Sequence, residues 1–102
     1  MLTSKQRAFL RSLANEADTI VMIGKGGMSD QIIKQADDAL TARELIKGKV
    51  LETADMTSRE AAELLAVSTK CEVVQVIGSK FILFRRNTEK PKIELPKARK
   101  KR

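Results

Sequence analysis

Residues 20–29 read IVMIGKGGMS. The first four form an unbroken apolar run, β-branched at Ile20, Val21 and Ile23, which predicts a buried strand. Gly24, Lys25, Gly26 and Gly27 follow at once. Ser29 is a good N-cap for the periodic stretch beyond it, and Asp30 falls in that helix's first turn. Strand, glycine loop and helix N-terminus in direct succession aim unpaired N–H groups and the positive end of a helix dipole at one point. Glycine lets a ligand come close to the backbone, and Lys25 adds a mobile cation. The junction can bind an anion, phosphate above all. It can equally be a tight turn that needs glycine for its geometry alone, and Asp30 brings a negative charge to the same helix end.

The pattern extends outward from this junction on both sides. Before it, Thr3 and Gln6 form a capping-box pattern, and Phe9, Leu10, Leu13, Ala14 and Ala17 recur at helical spacing, which predicts a helix over 4–16 and a strand over 19–23. After it, Ile32, Ile33, Ala36 and Leu40 make the apolar face of a helix over 30–41. A strand over 45–51 then places Lys47 and Lys49 on one face of a sheet. Gly48 inside that strand predicts a bulge or the close approach of another backbone. Thr57 and Glu60 form a second capping box, opening a helix that runs to residue 69. Val73, Val74, Val76 and Ile77, then Gly78-Ser79, then 81–84 read as a hairpin on a two-residue type II′ turn. The fold class is therefore α/β: one compact α-β-α-β-α-β-β domain with a four-stranded mixed sheet. Its first two strands are parallel, joined by a right-handed crossover. The order of the strands across the sheet is not readable.

The chain has 102 residues, enough for one small domain with a modest core. Residues 1–84 hold 11 Lys/Arg and 11 Asp/Glu, whereas residues 85–102 hold 9 Lys/Arg against Glu89 and Glu94. The whole net charge of +7 thus sits in the last segment, which also carries Pro91 and Pro96. Residues 2–86 read as the folded domain and 87–102 as a basic flexible tail. Such a tail suits a polyanion, nucleic acid before an anionic membrane, or serves only to keep the chain soluble. No apolar run approaches the length of a membrane span and no leader segment is visible, so a cytoplasmic protein without a membrane partner is expected.

Catalytic chemistry finds little to work with. There is no His, and Cys71 is the only cysteine. Cys71 has no partner for a disulfide or a metal and reads as a small buried hydrophobe. Glu60 and Glu63 share a helix face, as a cap and a solvated pair would. Gly24 to Ser29 resembles a dinucleotide-binding loop, with Glu52 as a ribose-binding acid. However, Ser29 stands where the third glycine belongs, and one βαβ unit cannot complete the crevice. A Walker loop is absent. No enzyme, cofactor, metal or small-molecule substrate is expected. What remains is Gly24-Lys25-Gly26-Gly27 as a G-x-x-G loop, the form with which KH modules clamp a nucleic-acid backbone, although theirs joins two helices. With no Tyr or Trp and only Phe9, Phe81 and Phe84, base stacking gives way to recognition of backbone and shape.

Four stretches, LTSKQRAFLRSLA, VMIGKGGMSDQII, ALTARELIKGKVL and VVQVIGSKFILFRR, together resemble the CRM (chloroplast RNA splicing and ribosome maturation) domain, in its free-standing, YhbY-like bacterial form. The resemblance covers residues 2–86 and departs from the expected ELIKVKV at Gly48. It implies a fold similar to the C-terminal domain of a bacterial translation initiation factor. It also implies an RNA-binding protein that associates with ribosomal RNA in precursors of the large (50S) subunit; a monomer is expected. The family's G-x-x-G loop falls on Gly24, Lys25, Gly26 and Gly27, and part of its basic surface on Lys47 and Lys49. Arg85, Arg86 and the tail would extend that track. Two other classes stay open: a protein–protein adaptor on the ribosome, docking through the exposed hairpin edge, and a small nucleotide-binding enzyme.

Overall fold

The computed structural model describes residues 2–95. In chain order the elements are α1 Ser4–Ala14, β1 Thr19–Ile23, α2 Asp30–Arg43, β2 Leu45–Val50, α3 Ser58–Thr69, β3 Glu72–Ile77 and β4 Lys80–Phe84. Each helix starts where the sequence supplies a capping oxygen. The Thr3 hydroxyl accepts from the Gln6 amide at 3.1 Å and Gln6 Oε1 accepts from the Thr3 amide at 3.0 Å. Thr57 and Glu60 repeat this box at α3, and Ser29 Oγ takes the Ile32 amide at 3.2 Å. The ends were less legible. Helix α1 stops at Ala14, short of residue 16, because the Glu16 and Ala17 amides turn back to Leu13 and Ala14 in a tighter final turn. Helix α2 outlasts residue 41 and ends on Glu44, which adopts φ +67 without being glycine.

The sheet order is β1-β2-β4-β3, with β1 and β2 parallel and the other pairs antiparallel. The hairpin turn carries φ +58 at Gly78 and no positive φ at Ser79, as a type II′ turn requires. Helices α2 and α3 cover one face, over Val21, Ile23, Ile46, Val50, Phe81 and Leu83. The other face is covered at one end only, where Leu10 and Ala14 of α1 pack on Leu45, Val74, Ile82 and Phe84. Gly48 is explained by a ring rather than by another backbone: a Cβ there would lie 2.2 Å from Cζ of Phe81, its cross-strand partner. The pairing stays in register through Gly48 on its β4 side, and the register shifts fall instead on the edge strands, between Thr19 and Val21 of β1 and between Val73 and Gln75 of β3. Both sheet edges are guarded, since Gln35 Nε2 donates to the Ile20 carbonyl and the Arg7 guanidinium to those of Val73 and Val74.

The first part of the expected tail lies against the domain. The buried Glu44 carboxylate accepts from the amides of Asn87, Lys92 and Ile93, each at 2.7 Å. Ile93 and Leu95 then join the α1-side cluster. Residues 96–102, the rest of that segment, lie outside the described residues.

Candidate nucleic-acid interface

The glycine loop sits where β1 and β2 end, beside the N-terminus of α2. Its first four residues form a β-turn closed by the Gly27 amide on the Gly24 carbonyl at 2.9 Å, which puts the exposed Lys25 at the corner. Gly27 needs its residue type, because its φ is +69. Gly26 does not: its φ is not positive, and an added Cβ would meet nothing within 4 Å. The fold has no use for glycine there, whereas a ligand approaching the backbone would. In the next turn Ser29 Oγ satisfies the Ile32 amide, and helix geometry leaves the amides of Asp30 and Gln31 without an intrahelical acceptor. Exposed Asp30 adds one negative charge to this end.

Lys47 and Lys49 project, as expected, from one face of β2, the face that α1 covers only in part. Lys49 stands directly opposite Lys80 of β4. Arg11 of α1 lines the same open groove of about 510 Å³ as Lys47 and Lys80. Among the described residues none of Lys25, Lys47, Lys49 and Lys80 is ion-paired; the pairs are Lys34–Asp38, Arg59–Glu63 and Arg85–Asp37. Lys80 and Arg11 were missed in the sequence. The strand alternation that found Lys47 and Lys49 would have found Lys80, had the register with β4 been known.

Arg85 and Arg86 lie at the far end of the sheet, where β4 finishes and β2 begins. The structure does not bring them to the loop. Arg85 Nη1 donates to Asp37 Oδ1 at 2.6 Å and to the Thr69 carbonyl at 2.7 Å. Its Nη2 donates to the Asp37 carbonyl at 2.9 Å and to Thr41 Oγ1 at 2.7 Å. Every N–H of both terminal nitrogens is therefore engaged in tying β4 to α2 and α3, which leaves this guanidinium no fork to offer a phosphate. Arg86 is exposed. Burial by itself would raise the Glu44 pKa, but the amides of Asn87, Ile93 and Lys92, helped by the charge of Arg86, hold it below the ordinary carboxylate range. Cys71 is only half-buried, packed at the margin of the core rather than inside it as the sequence suggested, and that burial pushes its thiol up. Among the described residues no group of His, Cys, Asp and Glu could hold a metal ion, and no helix is long and apolar enough to cross a membrane.

The CRS1 / YhbY (CRM) domain model matches residues 2–85. The chain belongs to that family. It is 44% identical over 96 residues to the "Probable RNA-binding protein YqeI" of Bacillus subtilis, a match covering 94% of this chain and 100% of that protein. It is 34% identical to an "RNA-binding protein" of Haemophilus influenzae, across 94% of this chain and 96% of the other. The solution structure of the Staphylococcus aureus protein SAV1595 shares 50% identity and superposes with a TM-score of 0.77, over 94% of this chain and all of that one. The family assignment and the α/β fold read from the sequence both stand on these matches.

Proposed function

We propose that this chain is a non-catalytic, cytoplasmic and monomeric RNA-binding protein that holds an RNA backbone at its glycine loop. The observation that carries this reading is the Gly24–Gly27 turn: exposed, closed on itself, with a cation at its corner and a glycine at position 26 that the fold does not need. Lys25 and the loop amides contact a phosphate there, and Lys47 and Lys49 continue the basic surface across the sheet. Arg86 and the basic segment beyond it add affinity of the counterion-release kind, indifferent to sequence. Arg85 has no part in the track. The names of the relatives support RNA as the partner. The resemblance to the YhbY-like proteins supports ribosomal RNA in large-subunit precursors as the particular RNA. Crosslinking in cells, with sequencing of the attached RNA, tests this. Reads concentrated on large-subunit ribosomal RNA are expected, and reads spread in proportion to RNA abundance would overturn the assembly role. Against the adaptor alternative, Arg7 already occupies the Val73 and Val74 carbonyls on the edge of the hairpin.

A further inference from the structure

One row of side chains crosses all four strands at the loop end of the sheet, on the face that α1 leaves open. The register pairs Met22 with Lys49, Lys49 with Lys80, and Lys80 with Ile77. Two features of this row are unfavourable for folding. Lysines directly opposite on neighbouring antiparallel strands repel, and neither has an ion-pair partner among the described residues. Met22 and Ile77 flank them at 57% and 61% exposure. A single exposed apolar side chain is ordinary. An apolar residue at each end of an adjacent like-charged pair, in one row, offers two neighbouring cations for phosphates with an apolar contact on either side for bases. Met22 also stands only two residues before Gly24, so the row begins where the loop does.

We infer that this row is a binding strip for single-stranded RNA, an inference that rests on the RNA reading of the loop. Lys49 and Lys80 take neighbouring phosphates of a strand whose backbone is anchored at the glycine turn. Met22 and Ile77 lie against the faces of unpaired bases. Duplex RNA hides its base faces inside the stack, so it can use the lysines but not the two apolar positions. With no aromatic side chain in the row, the contact is indifferent to which base it meets.

The test measures the anisotropy of a labelled short oligouridylate and of a labelled RNA hairpin duplex at one fixed salt, with a thermal melt of every variant. Lys80→Gln is expected to melt at or above the parent temperature, because it relieves the lysine repulsion, while its oligouridylate affinity falls about tenfold or more, as expected when one charge-assisted hydrogen bond is removed. The double variant Met22→Ser, Ile77→Ser should weaken the oligouridylate about threefold or more, a smaller loss than that of an aromatic stacking partner, and leave the duplex unchanged. Unaltered oligouridylate binding by both variants, with binding still sensitive to Lys25→Glu, overturns the strip and leaves the loop reading standing. Tighter binding of duplex than of single strand by the parent also overturns it. Binding of neither RNA by the parent removes the RNA reading and the strip together.

Discussion

At the end of the sheet where β1 and β2 finish, Lys25, Lys49 and Lys80 have no ion-pair partner among the described residues. At the other end Arg85 places four hydrogen bonds on α2 and α3, and Glu44 gathers three amides from the chain beyond β4. Both ends are rich in charge, yet one holds its charges inside the fold and the other leaves them to solvent. Charge counted along the sequence cannot separate the two. What separates them is whether folding has already supplied the partner: a satisfied guanidinium is a fastener, and an unanswered ammonium on an open face is free for a ligand.

The sharpest way to break this contrast is to damage the fastened end and see whether binding follows. Glu44→Gln leaves at most part of a three-donor site satisfied, and should cost about 3 kcal/mol in urea unfolding. The melting temperature should drop by more than about 10 °C, with RNA affinity of the folded protein kept. Arg85→Lys loses the fork that bridges Asp37, Thr69 and Thr41. The site is partly exposed, so about 1–2 kcal/mol is expected, with RNA affinity changed less than about twofold. A large loss of affinity at unchanged stability would return Arg85 to the RNA surface.

Glu44 also gives this end a pH dependence. Its folded pKa is depressed, so its contribution is complete above the ordinary carboxylate range and disappears as pH falls through that range toward the folded value. The stability gap between the parent and Glu44→Gln should therefore be widest near neutrality and shrink as pH falls below the ordinary carboxylate range toward the depressed folded value. A gap independent of pH would mean that the carboxylate charge is not what holds the segment. The same anchor divides the basic segment in two. The Lys92 and Ile93 amides should exchange slowly with solvent, and truncation after Thr88 should destabilise the domain. Truncation after Leu95, which removes five Lys/Arg, should leave stability within about 0.5 kcal/mol. It should lower the magnitude of the log–log salt slope of RNA binding by roughly 0.7 for each phosphate that is no longer neutralised.

The smallest stability effect belongs to the open end. Gly26→Ala meets no neighbour and no positive φ, so a change within about 0.5 kcal/mol is expected, and the added methyl should still weaken RNA binding. Unchanged binding would make Gly26 an accident of the sequence.

The sequence showed the open end more clearly than the fastened one, for a physical reason. Capping boxes at Thr3 and Thr57, the turn at Gly78 and the alternation through Lys47 and Lys49 are local signals, and each appears in the structure where it was read. Glu44 gave no such signal. A glutamate at positive φ looks like any surface residue until the chain returns some 43 residues later to give it the Asn87 amide. Arg85 likewise looked like a basic extension of β4, because its partners Asp37 and Thr69 come from helices whose packing only the strand order reveals. Lys80 and the cross-sheet row needed that same order. Gly48 was noticed, but its neighbour was expected to be backbone, and the pairing with Phe81 is a matter of register.

The central claim is that the glycine loop holds an RNA phosphate, and Lys25→Glu tests it most directly. The side chain is exposed at a turn corner, so the variant should unfold within about 0.5 kcal/mol of the parent. Binding to large-subunit precursor RNA at fixed salt should weaken at least about tenfold, since a charge-assisted hydrogen bond worth roughly 1.5–3 kcal/mol is removed. Full binding by a variant that melts like the parent would contradict the account and leave the loop a turn.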